Sequence, residues 1–390
     1  MNVGNVNGPL PRVSALPENA ILLHIGVHKT GTTAIQAALA DSRVELRTHE
    51  VLYPGRRSAH HGAAMAILER PWGWKGKGGE FHDRGIFDKL AAQAAAFPRR
   101  VVISSEHFCE TNDEMAAEVA DAFGRERTHV VITLRNLGRL LPSSWQQYLK
   151  YGVAAPYETW LENTFETESK KTVSPSFWRR NDHGALVERW AGLVGADQVS
   201  VIVLEDVNRA AMFGSFAQLI DVPEEMFTSR MDLTANRSMT AGESELLRRL
   251  NKKIKPALEW NEYQRMVRVG IARTMVEDRT PEPNEPKLHT PDWALDAAAE
   301  CGAAAVARIR ESGVRVIGDV DALAVRVSSP PAVPAEILES VPMDVALNAL
   351  ETLIMLNRDQ PTTKEMAKSL LRQFRSDASA KVKRKSKPGA

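Results

Sequence analysis

Residues 26–33 read Gly-Val-His-Lys-Thr-Gly-Thr-Thr, and no other segment constrains the chain as much. A short apolar run, residues 21–25 (ILLHI), precedes them, and a helical stretch, residues 34–43 (AIQAALADSR), follows. A buried strand, a glycine-bounded loop and a helix in that order open an α/β unit. Glycines let the backbone turn with several N–H groups inward, and the helix that starts there adds the positive end of its dipole. The ligand such a loop suits is a phosphate.

The loop has the frame G-x-x-x-x-G of a nucleoside triphosphate loop but departs from it at one position. After the second glycine, where a lysine would neutralise β- and γ-phosphates alongside Mg²⁺, stands Thr32. The lysine has moved inside the loop, to Lys29, where it would sit lower, beside a phosphate attached directly to a nucleoside. The strand at residues 130–134 (VVITL) runs into Arg135 rather than a metal-binding aspartate, and Glu106 after residues 101–104 (VVIS) is a weak substitute for one. Ser143 lies eight residues beyond Arg135. If a helix starts between them, both converge on a second anion, Arg135 with planar, permanently charged donors and Ser143 with a short hydroxyl. Taken singly, Arg135 is an ordinary ion-pairing residue and Ser143 a helix cap.

Four apolar runs, residues 21–25, 101–104, 130–134 and 199–204, alternate with helical patterns. That alternation predicts a parallel sheet covered by helices on both faces. Residues 292–312 read as an alanine-rich helix after Pro291, and residues 313–323 (GVRVIGDVDAL) as an edge strand and turn. The expected organisation is a disordered start at 1–19, an α/β domain at 20–325 and a Pro-rich linker at 326–335. A helical extension at 336–375, with helices around 345–355 and 363–374, and a basic tail at 376–390 complete it. Residues 60–84 (HHGAAM, then PWGWKGKGG) read as a mobile loop, whose Trp72 and Trp74 either close on a ligand or fold back on the body. Fifty basic residues against 49 acidic ones leave a net charge of +1, so no global pull toward nucleic acid or membrane follows. Two distant cysteines exclude a disulfide framework and fit a reducing compartment. The first twenty residues lack a secretory pattern and no run is long enough to span a bilayer, so a cytoplasmic protein is expected. Oligomeric state is not legible.

With these segments in view, the chain resembles the PAPS-dependent sulfotransferase family, over residues 20–320. HIGVHKTGTTAIQ (24–36) is similar to the family's 5′-phosphosulfate loop, VVITLRNLGRLLPSSWQQY (130–148) to its 3′-phosphate strand and helix, and VVISSEHF (101–108) to the strand that carries its catalytic base. VSVIVLEDV and NRSMT also look similar to bacterial members. The resemblance implies a P-loop-type α/β fold and a metal-independent, in-line transfer of a sulfuryl group from 3′-phosphoadenosine 5′-phosphosulfate (PAPS) to a hydroxyl or amine. It implies that Lys29 stabilises the bridging oxygen and that Gly31, Thr32 and Thr33, with His28 and Thr30 in the same loop, hold the 5′-phosphate. Arg135 and Ser143 would hold the 3′-phosphate, Glu106 would take the acceptor's proton, and a carbohydrate acceptor is mildly favoured.

His107 and His28 are the alternative bases. Successive strand-end residues point apart, so Glu106 and His107 are not expected to face one pocket together. His24, inside a strand, reads as a packed core histidine. Adjacent His60 and His61 lack a carboxylate or thiol at ligand spacing, so no metal is expected, and they line the acceptor side or decorate the loop. Arg265, Arg268, Arg273 and Arg279 are candidates for a loop over the nucleotide, but read first as surface charge. Trp145 and Trp178 read as core. Asn236-Arg237-Ser238 has the form of a glycosylation sequon and reads as a structural turn. Two other functions compete: a nucleotide kinase or NTPase on the same scaffold, disfavoured by Thr32, and a noncatalytic nucleotide-binding protein.

Overall fold

The computed structural model describes residues 13–166, 176–204, 209–228, 237–332 and 342–358. Its frame is a six-stranded sheet of β1 (Ile21–His24), β2 (Val51–Leu52), β3 (Arg100–Ser104), β4 (Thr128–Leu134), β5 (Val199–Val203) and β6 (Arg315–Ile317). The strand order is β2-β3-β1-β4-β5-β6, and every neighbouring pair is parallel. This is the α/β class expected from the four apolar runs. All of β1 is buried, because it lies between β3 and β4 with helices over both faces. A strand with no solvated face needs continuous apolar residues rather than alternation. Its side chains still alternate between layers. Ile21 and Leu23 pack with Ile103, Ile132 and Trp145 on one face, Leu22 with Val102, Ile35 and Phe216 on the other.

The remaining strands carried weaker signals. β6 is the anticipated edge strand, whereas β2 is two residues long and shows no periodicity. Residues 60–84 differ from the expected loop. His61–Ile67 is a helix with Ala63–Ile67 buried, and Trp72 and Glu80 pair in an antiparallel bridge. The small apolar residues of GAAMAI bury as a helix face, an outcome that the flanking glycines and lysines masked. The expected disordered start also shortens. Leu16 is buried and its amide donates to the Leu219 carbonyl at 2.9 Å, so residues 13–19 belong to the domain.

After β6 the chain passes residues 326–332 and then forms the helix Met343–Arg358, which packs Val345 against Ile271 and Met275. The helix expected around 363–374, the basic tail and Asn236 of the sequon lie outside the described residues. No helix among the described residues is long and apolar enough to cross a membrane.

The ends of β1, β3 and β4 open on one crevice, at the point where successive strands pass from one side of β1 to the other. In open α/β sheets this is the binding position. The chain leaves β1 through Gly26, where a Cβ atom would lie 1.9 Å from Thr133 Oγ1. Only glycine lets the loop press this closely on β4, with the Val27 amide donating to the Thr133 carbonyl at 3.1 Å. Gly26→Ala is expected to cost about 1–3 kcal/mol through overpacking. The measurement is the urea midpoint; an unchanged midpoint would mean that the β1–β4 contact gives way freely.

Candidate active site

The loop after β1 turns through two residues in the left-handed region, Lys29 at φ 70° and Gly31 at φ 82°. Glycine adopts that conformation freely and lysine does not, so the surroundings must hold Lys29 there. Thr30 does much of the holding. It is fully buried; its hydroxyl donates to the Val27 carbonyl at 2.7 Å and lies 2.7 Å from Thr133 Oγ1. Thr30, expected among the phosphate-binding side chains, therefore braces the loop from behind. The helix Thr32–Asp41 starts with no side-chain cap. The amides of Thr32 and Thr33 in its first turn have no backbone acceptor among the described residues, and both residues face the crevice.

The crevice encloses about 770 Å³. Lys29, His28, Gly31, Thr32, Thr33, Glu106, Arg135 and Ser143 all line it, so every expected site residue but Thr30 reaches one cavity. Arg135 reaches it from the end of β4. Ser143 reaches it two turns along the helix Leu137–Leu149, with its hydroxyl donating to the Leu140 carbonyl at 3.0 Å. Lys150, Arg180, Arg237, Arg268 and Arg273 complete a set of seven cations against two carboxylates, Glu106 and Glu277. The chain as a whole carries +1, so the surplus positive charge is local to this cavity.

Burial pushes the Lys29 ammonium down from 10.5 to about 8; Lys150 and Arg135 add to this and Glu106 opposes it. Burial also lowers Lys150, with Arg268 adding to the effect. Among the described residues neither ammonium has a carboxylate or hydrogen-bond acceptor within reach. Two desolvated cations, each without a direct ion-pair contact among the described residues, make the cavity suited to an anion.

The opposite wall carries the groups that could move a proton. After β3 the chain makes a tight 3-10 turn, Glu106–Glu110, started by Ser105, whose hydroxyl accepts from the His107 amide. Residues in such a turn step by about 120° rather than 180°. Both Glu106 and His107 therefore face the cavity, contrary to the expectation from strand alternation. Glu106 accepts from Gln36 Nε2 at 3.0 Å and lies 3.7 Å from His61 Nδ1. Burial acts to raise its pKa, but His61, His28, His107 and the Gln36 bond outweigh that and hold it at about 2. It is a carboxylate at neutral pH. His24 is the expected core histidine. Burial takes it to about 4, and it bonds Ser104 and Thr133. His60 is buried against the Pro54 carbonyl, while His61 lines the cavity.

The structure adds a hub that no sequence spacing announced. Glu110 is fully buried and gathers Arg70 at 2.5 Å, His107 at 3.1 Å, Arg180 at 3.2 Å and His28 at 3.3 Å. Its two arginines lie 40 and 70 residues away in the chain and His28 lies 82 away, so only the fold could reveal it. Ligand atoms of His28, His107 and Glu110, and of His61, Glu106 and His107, lie within metal-binding distance of one another. The arginines on Glu110 and the cations around Glu106 make both positions unfavourable for a divalent ion.

Of the four candidate arginines, Arg268 and Arg273 line the cavity, whereas Arg279 is buried in an ion network with Glu243, Glu285 and Asp344. Trp72 lines the cavity, and Trp74 folds back onto Trp260 and Tyr263. Trp145 packs in the core as expected, and Trp178, half-buried, packs against it.

No family model and no curated protein matches this chain. Among solved structures, a sulfotransferase from Alicyclobacillus acidocaldarius is similar at 14% identity with a TM-score of 0.45, over 77% of this chain and 97% of that one.

Glu110 is held well below its ordinary 4.5; burial opposes this, but Arg180, the bonds from His107 and His28, and Arg70 prevail. Its contribution to stability is thus present above pH 4.5 and lost as pH falls toward the lower folded value. Glu110→Gln is expected to cost about 3 kcal/mol at pH 7 by stranding Arg70 and Arg180, and to converge with the wild type in acid. Denaturant unfolding across pH checks both; equal stability at pH 7 would contradict the hub.

Proposed function

We propose that this chain is a sulfotransferase that moves a sulfuryl group from PAPS to a hydroxyl or amine acceptor without a metal. The observation that carries this is the position of its one loop lysine. Lys29 stands inside the loop, half-buried and without an ion-pair partner among the described residues, while Thr32 occupies the place where a triphosphate loop needs lysine. A lysine so placed serves a phosphate attached directly to a nucleoside. Arg135 in the same cavity offers donors to a second phosphate, and Ser143 can join it by turning its hydroxyl from the Leu140 carbonyl. A 3′,5′-bisphosphorylated nucleoside matches two anion positions in a cavity of this size.

When bound, PAPS supplies an activated sulfur–oxygen bond to its 5′-phosphate. The protein does the rest. The amides and hydroxyls of Thr32 and Thr33 hold the 5′-phosphate, and Arg135 with Ser143 holds the 3′-phosphate and fixes the nucleoside. The acceptor oxygen or nitrogen bonds to sulfur as the bridging sulfur–oxygen bond breaks. Lys29 stabilises the charge that collects on the departing phosphate. Glu106 takes the acceptor's proton. In the free protein its proton affinity is low, but two phosphates in the cavity place negative charge nearby and raise it toward the range of a useful base.

Calorimetry with adenosine 3′,5′-bisphosphate, with and without Mg²⁺ and beside ATP, tests the donor assignment. Metal-independent binding of the bisphosphate is expected, weakened about 10- to 100-fold by Arg135→Ala. Mg²⁺-dependent ATP binding with no response to the bisphosphate would sink the assignment in favour of a kinase.

The pH profile gives a second check. The ligand binds protonated Lys29, so affinity should be level between about pH 7, where the phosphates are fully ionised, and pH 8, and fall above it, where the free ammonium loses its proton. Lys29→Arg stays charged throughout and should flatten that fall. A profile that is the same in both proteins would remove Lys29 from the anion site.

A further inference from the structure

We propose that the acceptor is itself an anion: a ring-bearing alcohol, phenol or amine whose carboxylate, sulfate or phosphate is held by Lys150 and Arg268 beside Trp72. This rests on the donor assignment above.

The seven cations of the cavity sort by their partners. Arg180 faces Glu110 at 3.2 Å, Arg237 grips Glu243 through two bonds of 2.7 Å, and Arg273 faces Glu277 at 2.6 Å. Lys29 and Arg135 are taken by the donor. Lys150 and Arg268 remain. Both are half-buried, and neither has a carboxylate partner among the described residues. Arg268 donates to the Tyr151 hydroxyl at 3.1 Å, and its guanidinium lies 4.7 Å from the Tyr151 ring and 5.1 Å from the Trp72 ring. Those aromatic faces orient the guanidinium but do not neutralise it. Neighbouring half-buried cations repel, and the depressed pKa of Lys150 registers both its burial and the charge on Arg268. An anion bound to both relieves that cost.

Location assigns this anion to the acceptor. The Trp72 ring packs edge-on against His107 at 5.6 Å, and His107 packs against His61 at 5.0 Å. Glu106 stands beside His61. An unbroken run of contacts thus leads from the proton-accepting carboxylate to Arg268. A molecule with its nucleophile at Glu106 can lay a ring on Trp72 and reach Arg268 and Lys150 with a charged substituent. The backbone under Arg268 is specialised too: Gln264–Ile271 is a π-helical stretch, a wide turn that redirects side chains and recurs at functional sites.

The test uses two matched pairs of probes, titrated calorimetrically into protein saturated with adenosine 3′,5′-bisphosphate. One pair is 4-nitrophenyl β-D-glucuronide and 4-nitrophenyl β-D-glucoside; the other is 4-hydroxybenzoate and 4-hydroxybenzyl alcohol. The charged member of at least one pair is expected to bind about ten-fold tighter than its neutral partner. The responding pair tells a sugar acceptor from a phenol. Arg268→Gln and Lys150→Gln should each abolish that preference, and Arg268→Lys should keep part of it. The proposal is overturned if no charged probe is preferred. It is also overturned if Arg268→Gln weakens the bisphosphate as much as the charged probe, because Arg268 then serves the donor. If the bisphosphate fails to bind the wild type, the donor assignment fails separately, and the charge preference is read on the free protein.

Discussion

The site depends first on how closely the loop after β1 can approach β4. The loop must leave a fully buried strand, reverse within the seven residues 25–31 and present its amides outward. Gly26 removes the side chain that would collide with Thr133, and the Thr30 hydroxyl then ties the loop to Thr133 and to its own Val27 carbonyl. With that tie in place Lys29 is held in the left-handed region and partly withdrawn from water. The same contact therefore fixes the loop's shape, the reduced basicity of Lys29 and the exposure of the Thr32 and Thr33 amides. A phosphate gains by replacing the solvation that Lys29 has lost.

The second constraint is the concentration of charge. A nearly neutral chain places seven cations around one cavity. Glu110 and Glu243, both fully buried, compensate some of them in place. Glu110 fixes Arg180 and the two histidines near Glu106. Glu243 caps its own helix through Thr240 while it holds Arg237 and Arg279. Lys29, Lys150 and Arg268 have no ion-pair partner among the described residues, and the donor and the acceptor are assigned beside them. The helix Met343–Arg358 also supports this wall. Thr352 meets Thr274 at 2.8 Å, Asp344 meets Arg279 at 2.6 Å, and Val345 packs on Ile271 at the end of the π-helical stretch. Residues beyond the sheet domain thereby hold in place the backbone that carries Arg268.

Much of this was legible in the chain, for physical reasons. Buried parallel strands demand continuous apolar runs, so β1, β3, β4 and β5 stood out; β2, with two residues, had nothing to repeat. The displaced lysine was visible because a phosphate loop confines its chemistry to a few consecutive residues. Thr30 was grouped with the phosphate-binding residues because loop membership says nothing about which way a side chain turns. Glu106 and His107 were set on opposite sides by a rule for strands, and the chain there had already entered a 3-10 turn. Arg180, Glu110 and Arg70 are brought together only by long-range packing. Arg268 was indistinguishable from surface charge until the π-helical turn and the aromatic pair around it were known.

The account's central claim is that the cavity holds a 3′,5′-bisphosphorylated nucleoside in one orientation. The most direct measurement is a crystal structure of the protein with adenosine 3′,5′-bisphosphate. The account requires the 5′-phosphate on the amides of Thr32 and Thr33 beside Lys29, and the 3′-phosphate between Arg135 and Ser143. A bisphosphate bound in the reverse orientation, or outside this cavity, would contradict it.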